Sequence, residues 1–85
     1  MSPVTDNVAA SRFELNEDDH LAYADYRREP GRLIIDYVFS PPELRGQGTA
    51  GRLMAGLAAQ ASARGETIVP ICSYAATWLR RHPQT

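Results

Sequence analysis

The stretch from Arg32 to Cys72 leaves this chain few architectures. It opens with RLIIDYVF, in which Leu33, Ile35, Tyr37 and Phe39 alternate onto one face while Ile34 and Val38 fall on the other. Both faces are largely apolar, so the spacing predicts a central strand rather than an edge strand. Asp36 interrupts the second face. Two consecutive prolines, Pro41 and Pro42, then remove two ladder donors and end the strand. A glycine-rich run leads into a helix starting near Gly48 or Thr49. There Ala50, Leu53, Met54, Leu57, Ala58 and Ala61 recur at helical spacing as one apolar stripe. Gly65 supplies a left-handed stop. Thr67 to Cys72 reads as a second buried strand, carrying Pro70. So short a return predicts a right-handed crossover with the two strands parallel.

The flanks fit around this unit. Residues 1–11 lack periodicity and read as a loose lead-in. A short strand over Arg12–Leu15, the solvated turn NEDD (Asn16–Asp19), and a strand over His20–Arg28 make a hairpin, and Pro30-Gly31 turns the chain again. Ser73 is placed to cap a last helix running through Arg81, with Tyr74 and Trp78 stacked at i and i+4, and Pro83 stops it. The expected fold is α+β, a small mixed sheet in the order β-β-β-α-β-α. At 85 residues it is one domain, spanning 12–85.

Charge and composition exclude several classes. A net charge of −1 exerts no global pull on nucleic acid or an anionic membrane. Every basic residue is arginine, so there is neither a lysine phosphate clamp nor a lysine Schiff base. A single cysteine, Cys72, builds no disulfide framework or cysteine-rich zinc site, and His20 and His82 alone make no metal site. No apolar run approaches a membrane span and no signal peptide opens the chain, so the expected location is cytoplasmic.

PELRGQGTAGRL, Pro42 to Leu53, carries two overlapping nucleotide-handling patterns. From Gly46 it reads Gly-x-Gly-x-x-Gly, the dinucleotide fingerprint. That pattern expects an acidic residue about 20 residues further on, where this chain has PICS, and a longer series of strand–helix units. A Walker loop needs a lysine. From Arg45 the same stretch reads Arg-x-x-Gly-x-Ala, with a buried strand before it and an amphipathic helix after it. Gly46 and Gly48 lack Cβ, so their amides approach a diphosphate closely, and the free N–H groups of the first helical turn favour phosphate. Arg45 adds charge at the rim.

PPELRGQGTAGRLM followed by VPICSYAATWLRRHP resembles the GNAT N-acetyltransferase superfamily, and within it the small single-domain members that are little more than an acyl-CoA-binding core. The resemblance covers about Arg12 to Pro83. It implies acetyl-CoA as co-substrate, with its pyrophosphate among Arg45, Gly46, Gln47, Gly48, Thr49, Ala50 and Gly51. It also implies pantetheine along the strand end at Val38, Phe39 and Ser40, where the next strand splays away. Pro70 gives a local reason for that gap. Small relatives often carry a His and a Glu where this chain has Tyr37 and Phe39, and larger ones an early helical segment that it lacks.

The catalytic candidates are Tyr74 and Cys72. By resemblance Tyr74 stands where a tyrosine protonates the departing thiolate; otherwise it packs with Trp78. Cys72 precedes a helix N-terminus, which favours a thiolate, and serves as S-acetyl way-station, as proton donor, or as a small core hydrophobe. Asp36 is a base candidate or the partner of a strand arginine. Arg80, Arg81 and His82 suit a helix C-terminus or a CoA 3′-phosphate. The expected activity is acetyl transfer to a small amine or a protein amine by direct attack. The rival readings are a non-catalytic CoA-binding module and an interaction domain whose glycine loop is structural.

Overall fold

The computed structural model describes residues 3–83. Its elements are β1 (Thr5–Asn7), β2 (Arg12–Glu17), β3 (His20–Glu29), β4 (Arg32–Phe39), α1 (Thr49–Ala63), β5 (Thr67–Pro70) and α2 (Ser73–Arg81). The strands form one sheet in sequence order, antiparallel except for β4 with β5, which are parallel. The mixed α+β arrangement and the β4–α1–β5 unit follow the sequence reading, with one further strand at the front. One core joins a single face of the sheet to both helices. Phe13, Leu15, Ala22, Ala24, Leu33 and Ile35 meet Leu53, Met54, Leu57 and Ala61 of α1, with Ala75 of α2. Leu53, Met54 and Leu57 are wholly buried, each contributing roughly 1.5–3 kcal/mol. Gly65 (φ +70) ends α1 in the left-handed conformation, as its position predicts.

The lead-in is not loose. β1 pairs with β2 from Thr5↔Glu14 to Asn7↔Arg12, and a 3-10 turn over Val8–Ala10 follows, capped by the Asn7 side chain. Its ties are tertiary, and no local pattern announces them. Tyr26 Oη donates to Asp6 at 2.6 Å, Arg28 donates to the same carboxylate at 3.2 Å, and Gln60 Nε2 donates to the Val4 carbonyl at 2.8 Å. Gly56 of α1 leaves the room this requires, since a Cβ there would collide with the Val4 side chain. Gly56→Ala therefore destabilises the protein on urea unfolding by about 1 kcal/mol or more, despite the ~1 kcal/mol that alanine gains over glycine in a helix. Adding Val4→Gly restores stability. A stabilising Gly56→Ala would show that β1 does not press on α1.

A second correction lies in β4. Tyr37 pairs with Asp25, but Ile35 pairs with Tyr26, so Asp36 is an extra residue in β4. Such a bulge reverses the facing of every residue beyond it. Leu33 and Ile35 point to the core, whereas Tyr37 and Phe39 turn to the opposite face and Val38 packs inward. The expected common face for Leu33, Ile35, Tyr37 and Phe39 is thus broken. Tyr37 and Phe39 instead meet Tyr23, at ring-centroid distances of 6.5 and 5.1 Å. At the end of β5, the α2 N-cap is Cys72 rather than Ser73. Trp78 stacks on His82 at 4.1 Å, not on Tyr74.

Candidate acyl-cofactor site

After β4 the chain runs extended through Pro41 into a 3-10 turn over Pro42–Leu44, anchored by the buried Leu44. Gly46 and Gly48 both adopt φ +79, and Gly48 is the N-cap of α1. A side chain at that cap ordinarily accepts from the first-turn amides; glycine has none to offer. Among the described residues, no N–H from Gly46 to Gly51 donates to a backbone carbonyl, the first such bond being Arg52 N–H to Gly48 O at 3.0 Å. The first turn of this 15-residue helix contributes no acidic residue of its own. A run of unpaired donors therefore coincides with the positive end of the helix dipole, a combination that favours phosphate.

The neighbouring edge of β4 is open as well. Pairing with β5 stops at Ile35↔Pro70, and the amides of Ile71 and Cys72 both close on the Ile35 carbonyl, at 2.9 and 3.1 Å, before the chain turns into α2. Among the described residues, β4 has no strand partner on that side from Asp36 to its end at Phe39. Pro70 is not the cause. The Thr67 and Ile71 amides donate toward β4, so Pro70, at the alternate position, faces its nitrogen outward and blunts the sheet edge. A hollow of about 230 Å³ lies along the glycine loop, bounded by Ser40, Leu44, Gly48 and Gly51. Another of about 220 Å³ lies along β4 from Tyr37 to Ser40. They share Ser40, Arg45, Ala50 and Tyr74 and so form one groove. The Ser40 hydroxyl is buried in its wall with no hydrogen-bond partner among the described residues.

A family model described as GCN5-related N-acetyl-transferase matches residues 12–85. The chain belongs to that family. No curated protein matches it. It is thus a small acetyltransferase, of a family that generally uses acetyl-CoA.

Within this acetyltransferase the sequence-derived residues fall unequally. Gly46, Gly48, Thr49, Ala50 and Gly51 line the loop hollow, and Val38, Phe39 and Ser40 line the strand hollow. The side chains of Arg45 and Gln47 fold back, Arg45 Nε donating to Ser40 O at 3.1 Å and Gln47 Nε2 to Glu43 O at 2.9 Å. Tyr74 lines both hollows. Although 41% exposed, it lays its hydroxyl beside Gly51, 3.9 Å from where a Cβ would stand. Burial at that end raises its pKa above the ordinary 10, opposed by Arg81 and reinforced by Cys72. Cys72 is half-buried against the core and lines neither hollow. Asp36 takes a bidentate pair from Arg27, two bonds of 2.8 Å, which lowers its pKa, the ion-pair alternative of the sequence reading. Arg80 donates to Thr77 Oγ1, and neither Arg80 nor His82 borders the groove.

Glu17 and Arg52 went unnoticed in the sequence. NEDD reads as a solvated turn, yet Glu17 lies in β2 and accepts from Arg52 Nε and Nη2 at 2.8 and 2.7 Å and from Thr49 Oγ1 at 2.6 Å. Hydrogen bonds from Arg52, then from Thr49, outweigh desolvation and hold its pKa down to about 2 from an ordinary 4.5. A depressed folded-state pKa means this anchor stabilises fully above the ordinary value and is lost as pH falls through the lower one. Wild type should therefore exceed Glu17→Gln in stability by a constant margin near neutral pH. That margin shrinks between 4.5 and about 2, as urea unfolding at several pH values will test. A margin independent of pH would refute the anchor.

A larger hollow of about 720 Å³ lies between β5 and α2, bounded by Ile68, Pro70, Ala76 and Leu79. It is more capacious than the groove and has Arg80 on its wall, but it lacks the run of free amides at a helix N-terminus that favours phosphate at the loop.

Proposed function

We propose that this acetyltransferase binds acetyl-CoA along the groove from the glycine loop to β4 and moves the acetyl group to an amine by direct attack. The unpaired amides from Gly46 to Gly51 carry the reading, because they suit a diphosphate and have no other backbone partner. Acetyl-CoA supplies an activated acyl thioester. The open β4 edge at Val38–Ser40 offers backbone groups to the pantetheine amides. The Val38 N–H, which alternation turns to that edge while Phe39 pairs with Tyr23 of β3, favours negative charge on the thioester oxygen. Tyr74, protonated at neutral pH and lining both parts of the groove, holds a proton at its phenol oxygen for the departing sulfur. The acceptor amine attacks neutral and yields its own proton to water.

Direct attack is favoured over an S-acetyl way-station because Cys72 packs against the core outside the groove. Cys72→Ala should leave turnover within about twofold of wild type, whereas Tyr74→Phe slows it about a hundredfold with coenzyme A affinity unchanged. The test is amine-dependent release of free thiol from acetyl-CoA across a panel of amines, with acetylated product identified by mass. Saturable binding of coenzyme A without amine-dependent release would instead favour a non-catalytic binding module.

A further inference from the structure

At the loop mouth, Arg52 is committed along one edge only. Its Nε and Nη2 fork onto Glu17, and Nη2 also reaches Thr49 Oγ1 at 3.3 Å. A guanidinium carries five N–H donors in a rigid plane. The Nη1 pair therefore remains, and among the described residues Nη1 donates to nothing. It stands at the rim of the loop, outside the lining of either hollow, 3.2 Å from the position of a Cβ built on Gly48. The Glu17 end of the anchor is held by Thr49, which is 1% exposed, while the Arg52 end is open to solvent. Arg45, the cation the sequence pattern singles out, is instead turned onto the Ser40 carbonyl.

We propose that Arg52 Nη1 donates to a phosphate of the bound nucleotide cofactor, and that Glu17 is the positioning residue that aims it. The inference rests on the reading of the groove as a coenzyme A site. Because Glu17 cancels the net charge of Arg52, the contribution is a directed, charge-assisted hydrogen bond rather than a diffuse field. A purely electrostatic role predicts tighter binding when Glu17 is neutralised. A positioning role predicts weaker binding.

Calorimetric titration of wild type, Arg52→Gln and Glu17→Gln with coenzyme A, its 3′-dephospho form and inorganic diphosphate tests this. Arg52→Gln should weaken coenzyme A roughly tenfold or more, and Glu17→Gln should weaken it several-fold. A loss shared by the dephospho form assigns the contact to the diphosphate, and a loss confined to coenzyme A assigns it to the 3′-phosphate. Unchanged affinity of Arg52→Gln for all three ligands would overturn the proposal, and tighter binding by Glu17→Gln would overturn the positioning role. Should Arg52→Gln not fold, the wild-type Arg52 guanidinium nitrogen resonances can be followed during diphosphate addition. A saturating shift supports the contact, and a constant signal contradicts it. Wild type that binds coenzyme A but transfers no acetyl group defeats the proposed function and leaves this inference intact. Transfer that proceeds with Arg52→Gln binding as wild type does the reverse.

Discussion

Gly48→Glu should eliminate coenzyme A binding while the domain stays folded. The substitution places a carboxylate among the amides from Gly46 to Gly51, where the diphosphate is proposed to lie. Like charges about 4 Å apart at an effective dielectric of ~20 repel by about 4 kcal/mol, roughly a thousandfold in affinity for a single pair. The backbone is a separate matter. Gly48 has φ +79, and an ordinary L-residue there costs roughly 1–2 kcal/mol. Its Cβ would also press on Arg52 Nη1, the free end of a flexible side chain. Gly48→Ala carries that strain without the charge, so it should share the loss of stability but not the full loss of affinity. Equal coenzyme A affinity for Gly48→Glu and wild type, by calorimetry on proteins of matched circular dichroism, would count decisively against the loop.

The largest effect on stability belongs to Arg28. It donates to Glu66 at 2.7 Å, to Asp6 at 3.2 Å and to Tyr26 Oη at 3.1 Å, and its guanidinium lies 4.7 Å from the Tyr26 ring centroid. One side chain so ties β1, β3 and the α1–β5 link together. Glu66 and Asp6 are both largely buried, so Arg28→Ala strands two carboxylates, of which only Glu66 keeps a cation, Arg64 at 3.3 Å. Breaking a buried pair costs about 3–5 kcal/mol, a large part of the 5–15 kcal/mol typical of a domain. Arg27→Ala is the control. Its pair with Asp36 has equally good geometry but is exposed, and removal costs about 0–1 kcal/mol. Urea unfolding should separate the two variants by several kcal/mol. Equal losses would show that burial does not govern these pairs.

What the sequence made legible follows the range of the forces involved. The strand, the Pro-Pro stop, the glycine loop and the helix are set by neighbours a few residues apart. Gly65 falls at positive φ as a left-handed stop requires, and Gly46 and Gly48, read only as lacking Cβ, adopt positive φ as well. β1 escaped notice because Asp6 and Val4 are held by Tyr26, Arg28 and Gln60, far along the chain. The β4 bulge escaped because Tyr37, Val38 and Phe39 are apolar on either face, so slipping by one residue leaves no trace in the pattern. Glu17 and Arg52, 35 residues apart, meet only once β2 packs beneath α1. The groove was therefore predictable in its backbone donors and obscure in its side chains.

The most direct test of the account is a coenzyme A titration of uniformly ¹⁵N-labelled protein, followed at every assigned backbone amide. Coenzyme A should produce saturable shifts centred on Gly46–Gly51 and Val38–Ser40. Absence of shifts, or shifts confined to Ile68, Ala76 and Leu79 in the larger hollow, would contradict it.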